Sequence, residues 1–237
     1  MPYHGMLRRL KTYKFASPTE LWNTAHLKRR AGVLVVLTPS ANDLNVLLTV
    51  RTQHLSYAGD AALPGGKADS VHESPLDVAL RESHEEVDLD TSGLEFLGYM
   101  PPYVSSKLLM VVPSLVWSPT PVFAHAKSTE EVSKVFRMPL SQFLQSEGHS
   151  FRQGRLSGSL PFKVSYFNIL AQNKKIGDPV YDRVWGLTAG ILIDCARVAF
   201  EKAPQFEPGD WRPNKSGMEI LENMAKEGIL QRDYKNR

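Results

Sequence analysis

The chain has 237 residues, 42% of them hydrophobic and 22% charged, with a formal net charge of +3. That suits one domain of about 150 to 200 residues with extensions, and no uninterrupted apolar run reaches about 18 residues, which argues against a membrane-spanning helix. The mild positive charge fits a small anionic substrate and is too small to argue for nucleic acid. The single cysteine, Cys195, rules out an internal disulfide and points to a reducing compartment. Its setting, GILIDCARVAF, marks a buried helix residue, not a nucleophile.

Residues 1–16 hold Arg8, Arg9, Lys11 and Lys14 with no acid, a composition that fits either a mitochondrial transit peptide or a basic surface arm. Ser17-Pro18-Thr19-Glu20 is a capping box with proline at the first helical position, and predicts a helix from Pro18 to about Arg29. Ala31–Thr38 is a β-branched run typical of a buried strand. Pro39–Asp43 is turn chemistry, and Leu44–Arg51 reads as the second strand of a hairpin.

Further on, Ser74 is a candidate N-cap, Pro75 takes the first helical position and Asp77 completes an acidic capping box. The predicted helix runs to about Val87. Leu76, Ala79, Leu80 and Val87 form its apolar stripe, and Glu82, Glu85 and Glu86 share one face at i, i+3 and i+4. Leu94–Tyr103 and Lys107–Ser118 are predicted strands, broken around Pro101-Pro102. Glu131–Arg137 is another, followed by Pro139 and a helix near Leu140–Leu144. The polar, glycine-rich stretch Ser146–Ser159 predicts a long loop or hairpin connection. Phe162–Ile169 and Val180–Val184 read as short strands. Leu187–Lys202 reads as a helix with Leu187, Ile191, Ala196 and Ala199 inside. After Ala203-Pro204 the chain turns polar, with one predicted helix near Met218–Ile229. The expected organisation is an N-terminal arm and helix (1–30), one α+β domain (31–203) and a C-terminal extension (204–237).

The chemistry concentrates in LPGGKADSVHESPLDVALRESHEEVDL, residues 63–89. Unit charges about 5 Å apart repel by roughly 3 kcal/mol per pair at an effective dielectric near 20. Arg81, four residues before Glu85, relieves part of that, and a divalent cation relieves more. Hard cations such as Mg²⁺ take oxygen ligands and share their sites with substrate phosphates. Taken alone, such a cluster also fits a solvated acidic helix face. Pro64-Gly65-Gly66 just before it shifts the balance, because glycines let the backbone bend sharply and come close to another group.

That order of glycine turn, loop and carboxylate helix resembles the Nudix box, the signature of hydrolases that cleave a diphosphate linked to another moiety. Glu73, Arg81-Glu82, Glu85-Glu86 and Leu89 match the pattern. There are three departures. Gly66 is separated from Glu73 by six residues where the pattern has five, Ser83 replaces an apolar residue, and Asp88 replaces a glycine, although aspartate tolerates a left-handed cap better than most residues. Upstream, Leu47-Leu48-Thr49-Val50-Arg51 with Gly59-Asp60 and Leu63-Pro64-Gly65-Gly66 resembles the coenzyme A diphosphatase branch, which shares the one-residue expansion. Lys67-Ala68-Asp69 resembles its fungal peroxisomal members. Glu131 to Leu140 and Val184 to Ala189 resemble the branch's later strand and last helix. The branch's second arginine would fall between Leu55 and Ser56, where a residue is missing.

The resemblance implies an α/β/α sandwich with a mixed sheet. It also implies metal-dependent hydrolysis of coenzyme A or a derivative to adenosine 3′,5′-bisphosphate and 4′-phosphopantetheine. Glu82 and Glu86 would bind Mg²⁺ or Mn²⁺, with Glu85 a further ligand or the base, and the carbonyl near Gly66 completing the shell. Arg81 would orient a carboxylate. Glu130 and Glu131, Glu131 first, are candidates for a general base outside the box. Arg51, Gly65 and Lys67 are candidates for phosphate contact, against a plain surface role for Arg51 and Lys67. Trp185 reads as a core anchor or a base-stacking residue, and His54, His72 and His84 as surface or loop histidines. Two other functions stay open: hydrolysis of 8-oxo-dGTP or another non-standard nucleoside triphosphate, and a non-catalytic scaffold binding a nucleotide. The resemblance places the chain in peroxisomes, but the chain ends Tyr234-Lys235-Asn236-Arg237 without a Ser-Lys-Leu-like signal, so mitochondrion and cytosol remain.

Overall fold

Strand β1 (Arg30–Pro39) sends its apolar side chains alternately to two faces. Leu34 and Val36 pack in one cluster, Val35 and Leu37 in another, and all four are fully buried. Strand β2 (Leu44–Arg51) divides likewise, Leu47 joining the first cluster and Val46 and Leu48 the second. A sheet buried on both faces needs a helical layer on each, and the computed structural model has that arrangement. It describes residues 3–13, 22–23, 30–52, 59–70, 72–105, 109–122, 124–128, 130–156, 160–170 and 181–207.

Helices α1 (Tyr3–Thr12) and α3 (Gly186–Phe200) cover one face, contributing Met6, Leu10, Ile191, Cys195 and Ala199 to the larger cluster. Helix α2 (Pro75–Val87) covers the other, with Ala79 and Val87 against Leu34, Val36 and Leu47. Between them lie β3 (Asp60–Ala62), β4 (Gly65–Lys67), β5 (Glu95–Tyr99), β6 (Tyr103–Val104), β7 (Met110–Trp117), β8 (Val132–Pro139), β9 (His149–Leu156), β10 (Leu160–Leu170) and β11 (Tyr181–Trp185). Among the described residues the sheet runs β5-β7-β1-β2-β3-β11-β10-β9, with β4 on β1, β6 on β7 and β8 on β2. β1 pairs parallel with β7, and β3 with β11, while the other pairs are antiparallel. The result is the expected α+β sandwich with a mixed sheet.

β1 changes partner along its length. Leu37–Pro39 pair with Leu44–Val46, whereas Ala31–Val33 pair with Gly65–Lys67. This seats the glycine turn on the sheet beneath the start of α2. Gly32 permits the close approach, since a Cβ there would run into the Pro75 carbonyl.

Several expectations change. The basic start is not a surface arm: Tyr3–Thr12 is a helix whose Met6 and Leu10, one turn apart, are buried, and Arg9 Nε donates to the Ala199 carbonyl at 2.8 Å. Of the two readings of Ser146–Ser159, a long loop or a hairpin connection, the described residues take the hairpin: strand β9 pairs antiparallel with β10 along its whole length, and that pairing overrides its weak strand propensity. The break expected around Pro101-Pro102 is present, at residues 100–102 between β5 and β6. The final helix stops two residues early, at Phe200, with Glu201 in the left-handed conformation (φ 51°). Of the helix read over Pro18–Arg29, only residues 22 and 23 are described, and both are helical. His54, the region of Leu55 and Ser56, and the helix near Met218–Ile229 lie outside the described residues.

Candidate functional site

Helix α2 carries the carboxylates, and its start is fixed locally. Ser74 Oγ accepts from the Asp77 N–H, and the Asp77 carboxylate accepts from the Ser74 N–H, each at 3.1 Å. A cap of this kind stabilises a helix by about 1 kcal/mol. The helix ends at Asp88, which takes the left-handed conformation (φ 49°) that the family pattern gives to glycine. Lys127 Nζ donates to Asp88 Oδ1 at 3.0 Å and holds its carboxyl below the ordinary range.

Arg81 organises the entrance to this helix. Its Nε donates to Glu73 Oε1 at 2.9 Å, one Nη to Glu82 Oε1 at 3.1 Å and the other to the Lys67 carbonyl at 3.0 Å. Glu85 Oε2 is 3.5 Å from the same guanidinium. Glu73 also accepts the N–H groups of Asp69 and Ser70. Burial acts to raise the Glu73 pKa, but Arg81 and these two N–H groups outweigh it and the carboxyl is held low. The loop between the glycine turn and α2 is thus pinned to one arginine. Trp22, almost fully buried, donates from Nε1 to the Glu73 carbonyl at 2.7 Å, and the Arg30 guanidinium lies 5.1 Å from its ring centroid.

Glu86 is the buried member of the set, and Oε2 accepts the Gly65 N–H at 3.2 Å. Burial pushes its carboxyl up to about 7; the Gly65 N–H opposes this, the charges of Glu82 and Glu131 add to it, and Arg51 opposes it. Three groups distant in sequence, Arg51, Glu131 and the Gly65 backbone, therefore meet electrostatically at Glu86, beside Glu82 one turn earlier on the same helix. Glu82 is raised too, by burial first, with Arg81 opposing and Glu85 and Asp69 adding. Gly66 lies directly beneath Glu82, where a Cβ would overlap the carboxylate.

Glu131 reaches this place through the loop that closes α2. The N–H groups of Lys127 and Ser128 donate to the Glu86 carbonyl, and that of His125 to the Val87 carbonyl, filling acceptors that a helix end leaves open. The chain then turns at Ser128 and enters β8, where the register against β2 slips by one residue at Ser133. Thr52 grips the entry, N–H to the Glu131 carbonyl at 3.0 Å and Oγ1 to the Glu130 carbonyl at 2.6 Å. Such bulges re-aim side chains beside functional sites.

Arg51, Gly65, Gly66, Glu82, Glu86 and Glu131 thus share one locus. Glu85 sits at its rim with its side chain 58% exposed. Lys67 is exposed, and its backbone carbonyl, not its ammonium, engages the site. Glu130 contributes its carbonyl to Thr52, His72 is exposed, and Trp185 stacks on Tyr166 with centroids 5.2 Å apart. The anchoring roles of Glu73, Trp22 and Arg30 were not read from the sequence. Glu73 carried a motif signal, whereas Trp22 and Arg30 carried none.

Among the described residues no three carboxylates or histidines converge at metal-ligand spacing, because Arg81 holds Glu82 and Glu85 while the Gly65 N–H holds Glu86. The donor set nevertheless fits a hard divalent cation. All donors are oxygens, and burial raises both Glu82 and Glu86, so both gain from a positive neighbour.

The NUDIX domain model matches residues 28–157. The chain belongs to the Nudix family. It is 35% identical over 181 residues to Nudix hydrolase 15, mitochondrial, of Arabidopsis thaliana, covering 75% of this chain and 61% of that one. It is 34% identical over 182 residues to Nudix hydrolase 22, chloroplastic, of the same plant, covering 75% and 58%. A Nudix hydrolase of Enterobacter sp. (strain 638), NudL, named as uncharacterized, is 34% identical over 180 residues, with 71% and 82% covered. The chain thus spans about three-fifths of the length of the two plant Nudix relatives.

Proposed function

We propose that this protein is a metal-dependent hydrolase of a nucleotide-linked diphosphate, with coenzyme A or a derivative as substrate. The observation that carries the reading is the buried Glu86 carboxylate, held by the Gly65 N–H and facing Glu82, Glu131 and Arg51. Glu82, Glu85 and Glu86, with the Gly66 carbonyl, would hold Mg²⁺ or Mn²⁺, which when bound polarises phosphoryl oxygens and makes water more acidic. Arg81 fixes the orientation of Glu82 against Glu73, an outer-shell role. Glu131 or the exposed Glu85 accepts the proton of the attacking water. Arg51 neutralises charge on the diphosphate.

Coenzyme A as the substrate is supported by Leu47–Arg51 and the expanded spacing between Gly66 and Glu73, the features resembling the coenzyme A diphosphatase branch. Arg51 ends β2 beside Glu86, and the Asp69 and Ser70 N–H groups of the loop donate to Glu73. The test is chromatographic product analysis after incubation with Mg²⁺ or Mn²⁺ and coenzyme A, beside a parallel incubation with 8-oxo-dGTP. Adenosine 3′,5′-bisphosphate and 4′-phosphopantetheine are the expected products. Cleavage of the triphosphate alone would refute the coenzyme A reading, and no cleavage of either would leave a nucleotide-binding scaffold.

A further inference from the structure

The sheet face that carries α2 continues past Arg51, and its next charged groups lie in one row. Val50 pairs with Ala61 and Thr49 with Ala62, which places Arg51 level with Asp60. Asp60 is itself the register partner of Arg183. Arg51, Asp60 and Arg183 therefore stand side by side on β2, β3 and β11. Their side chains share a face because Ala61 and Val184, the alternate residues, belong to the core cluster on the opposite side. At two strand spacings, Arg51 and Arg183 are about 10 Å apart along the row.

The two ends of the row differ from its centre. Asp60 is buried, its side chain 7% exposed, while the Arg183 side chain is 47% exposed. Arg183 Nε and Nη2 both reach Asp60 Oδ1, at 2.9 and 2.7 Å. Among the described residues Asp60 is its only ion-pair partner. That grip occupies one edge of the guanidinium and orients the rest; a planar guanidinium offers five N–H donors. Two cations thus bracket one carboxylate, beside the place where a diphosphate would lie. The next row on the same face is aromatic: Trp185 pairs with Tyr166, rings nearly parallel (5°), and the Arg152 guanidinium sits 5.2 Å from the Tyr166 centroid.

We propose that Arg183, oriented by Asp60 and standing two strands from the diphosphate-facing Arg51, is a specificity residue that binds an anionic group of the substrate other than its scissile diphosphate. The chemical class is a nucleotide whose ribose carries an additional phosphate. The row sets a second, half-exposed cation two strands from Arg51, within side-chain reach of a further phosphate on the same nucleoside, and the aromatic row beside it offers ring faces to a planar base. Arg183 acts on binding, not on the bond broken. This inference rests on the hydrolase reading for the position of the diphosphate and adds a source of discrimination outside the carboxylate helix.

The test is calorimetric titration, with Mg²⁺ present, of adenosine 3′,5′-bisphosphate and adenosine 5′-monophosphate, which differ only in the ribose phosphate. Wild type binds the bisphosphate about tenfold more tightly. In Arg183→Gln that ratio falls to about one while affinity for the monophosphate is unchanged. Because Arg183→Gln leaves Asp60 buried and unpaired, Asp60→Asn/Arg183→Gln is measured beside it and shows the same loss of ratio. An unchanged ratio in the variants, or equal weakening of both ligands, overturns the inference. Steady-state assays separate the two readings. Coenzyme A hydrolysis by wild type without any difference between the two titrated ligands sinks the subsite alone. A bisphosphate preference lost in Arg183→Gln, without coenzyme A hydrolysis, upholds the subsite and sinks the substrate.

Discussion

The Gly65 amide donates to Glu86 Oε2 at 3.2 Å, so the glycine turn and the carboxylate helix, 21 residues apart, form one unit. The bond is the only hydrogen-bond compensation that Glu86 receives among the described residues, and it does not offset the burial. The carboxyl therefore stands at about 7, above its ordinary 4.5.

That shift makes a stability prediction with a definite sign. A carboxyl whose folded pKa is raised takes up its proton more readily in the folded state. Its contribution is fully present below about pH 4.5 and is lost as pH rises through about 7. The loss amounts to about 3 kcal/mol. Glu86→Gln, neutral throughout, is expected to exceed wild type in stability by up to that amount at pH 8 with chelator present, and to match it near pH 4.5. Urea unfolding at the two pH values measures this, and equal stabilities at pH 8 would contradict it.

Arg81 ties Glu73, Glu82, Glu85 and the Lys67 carbonyl together. Lysine cannot donate along two edges at once. Arg81→Lys should lower kcat/KM roughly 10- to 100-fold, in the range seen for outer-shell partners of metal sites. Glu73→Gln should act in the same direction more weakly, because Arg81 keeps its other acceptors. Wild-type kinetics in both variants would show that the network does not orient the carboxylates.

Gly66 lies where a side chain would displace the Glu82 carboxylate. Gly66→Ala should cut turnover by about two orders of magnitude, the scale expected for a misplacement near 1 Å. Gly93→Ala, which meets nothing within 4 Å, is the control and should leave turnover unchanged. Comparable rates in the two variants would contradict the placement of Glu82.

Ser83 stands where the Nudix pattern has an apolar residue. It is fully buried, and its Oγ donates to the Ala79 carbonyl one turn earlier at 2.6 Å. That bond duplicates an acceptor already used in the helix and tends to bend it. Ser83→Ala should change stability by less than about 1 kcal/mol, with kcat unaltered. A thermal melt with a loss well beyond this would give Ser83 a further role.

What could be read from the sequence was mostly what is local. The capping box at Ser74, the carboxylate face of α2 and the left-handed Asp88 depend on residues within one or two turns, and each is present. The first two strands also followed from local signals, the β-branched run of β1 and the turn chemistry before β2. Contacts between distant residues were not legible. Trp22 donates to Glu73 across 51 positions, and Arg183 meets Asp60 across 123; no periodicity records either. The helix Tyr3–Thr12 has no acidic residue in its first turn, and its helical state reflects the docking of Met6 and Leu10. Strand β9 is defined by its partner β10.

The most direct test is the rate of coenzyme A hydrolysis by wild type, Glu85→Gln and Glu86→Gln across a Mg²⁺ titration. Metal-assisted hydrolysis on α2 predicts that Glu86→Gln loses several orders of magnitude in kcat while its fold survives, and that Glu85→Gln also falls steeply. Near-wild-type rates in both variants, with an unchanged Mg²⁺ dependence, would contradict the assignment of the reaction to this helix.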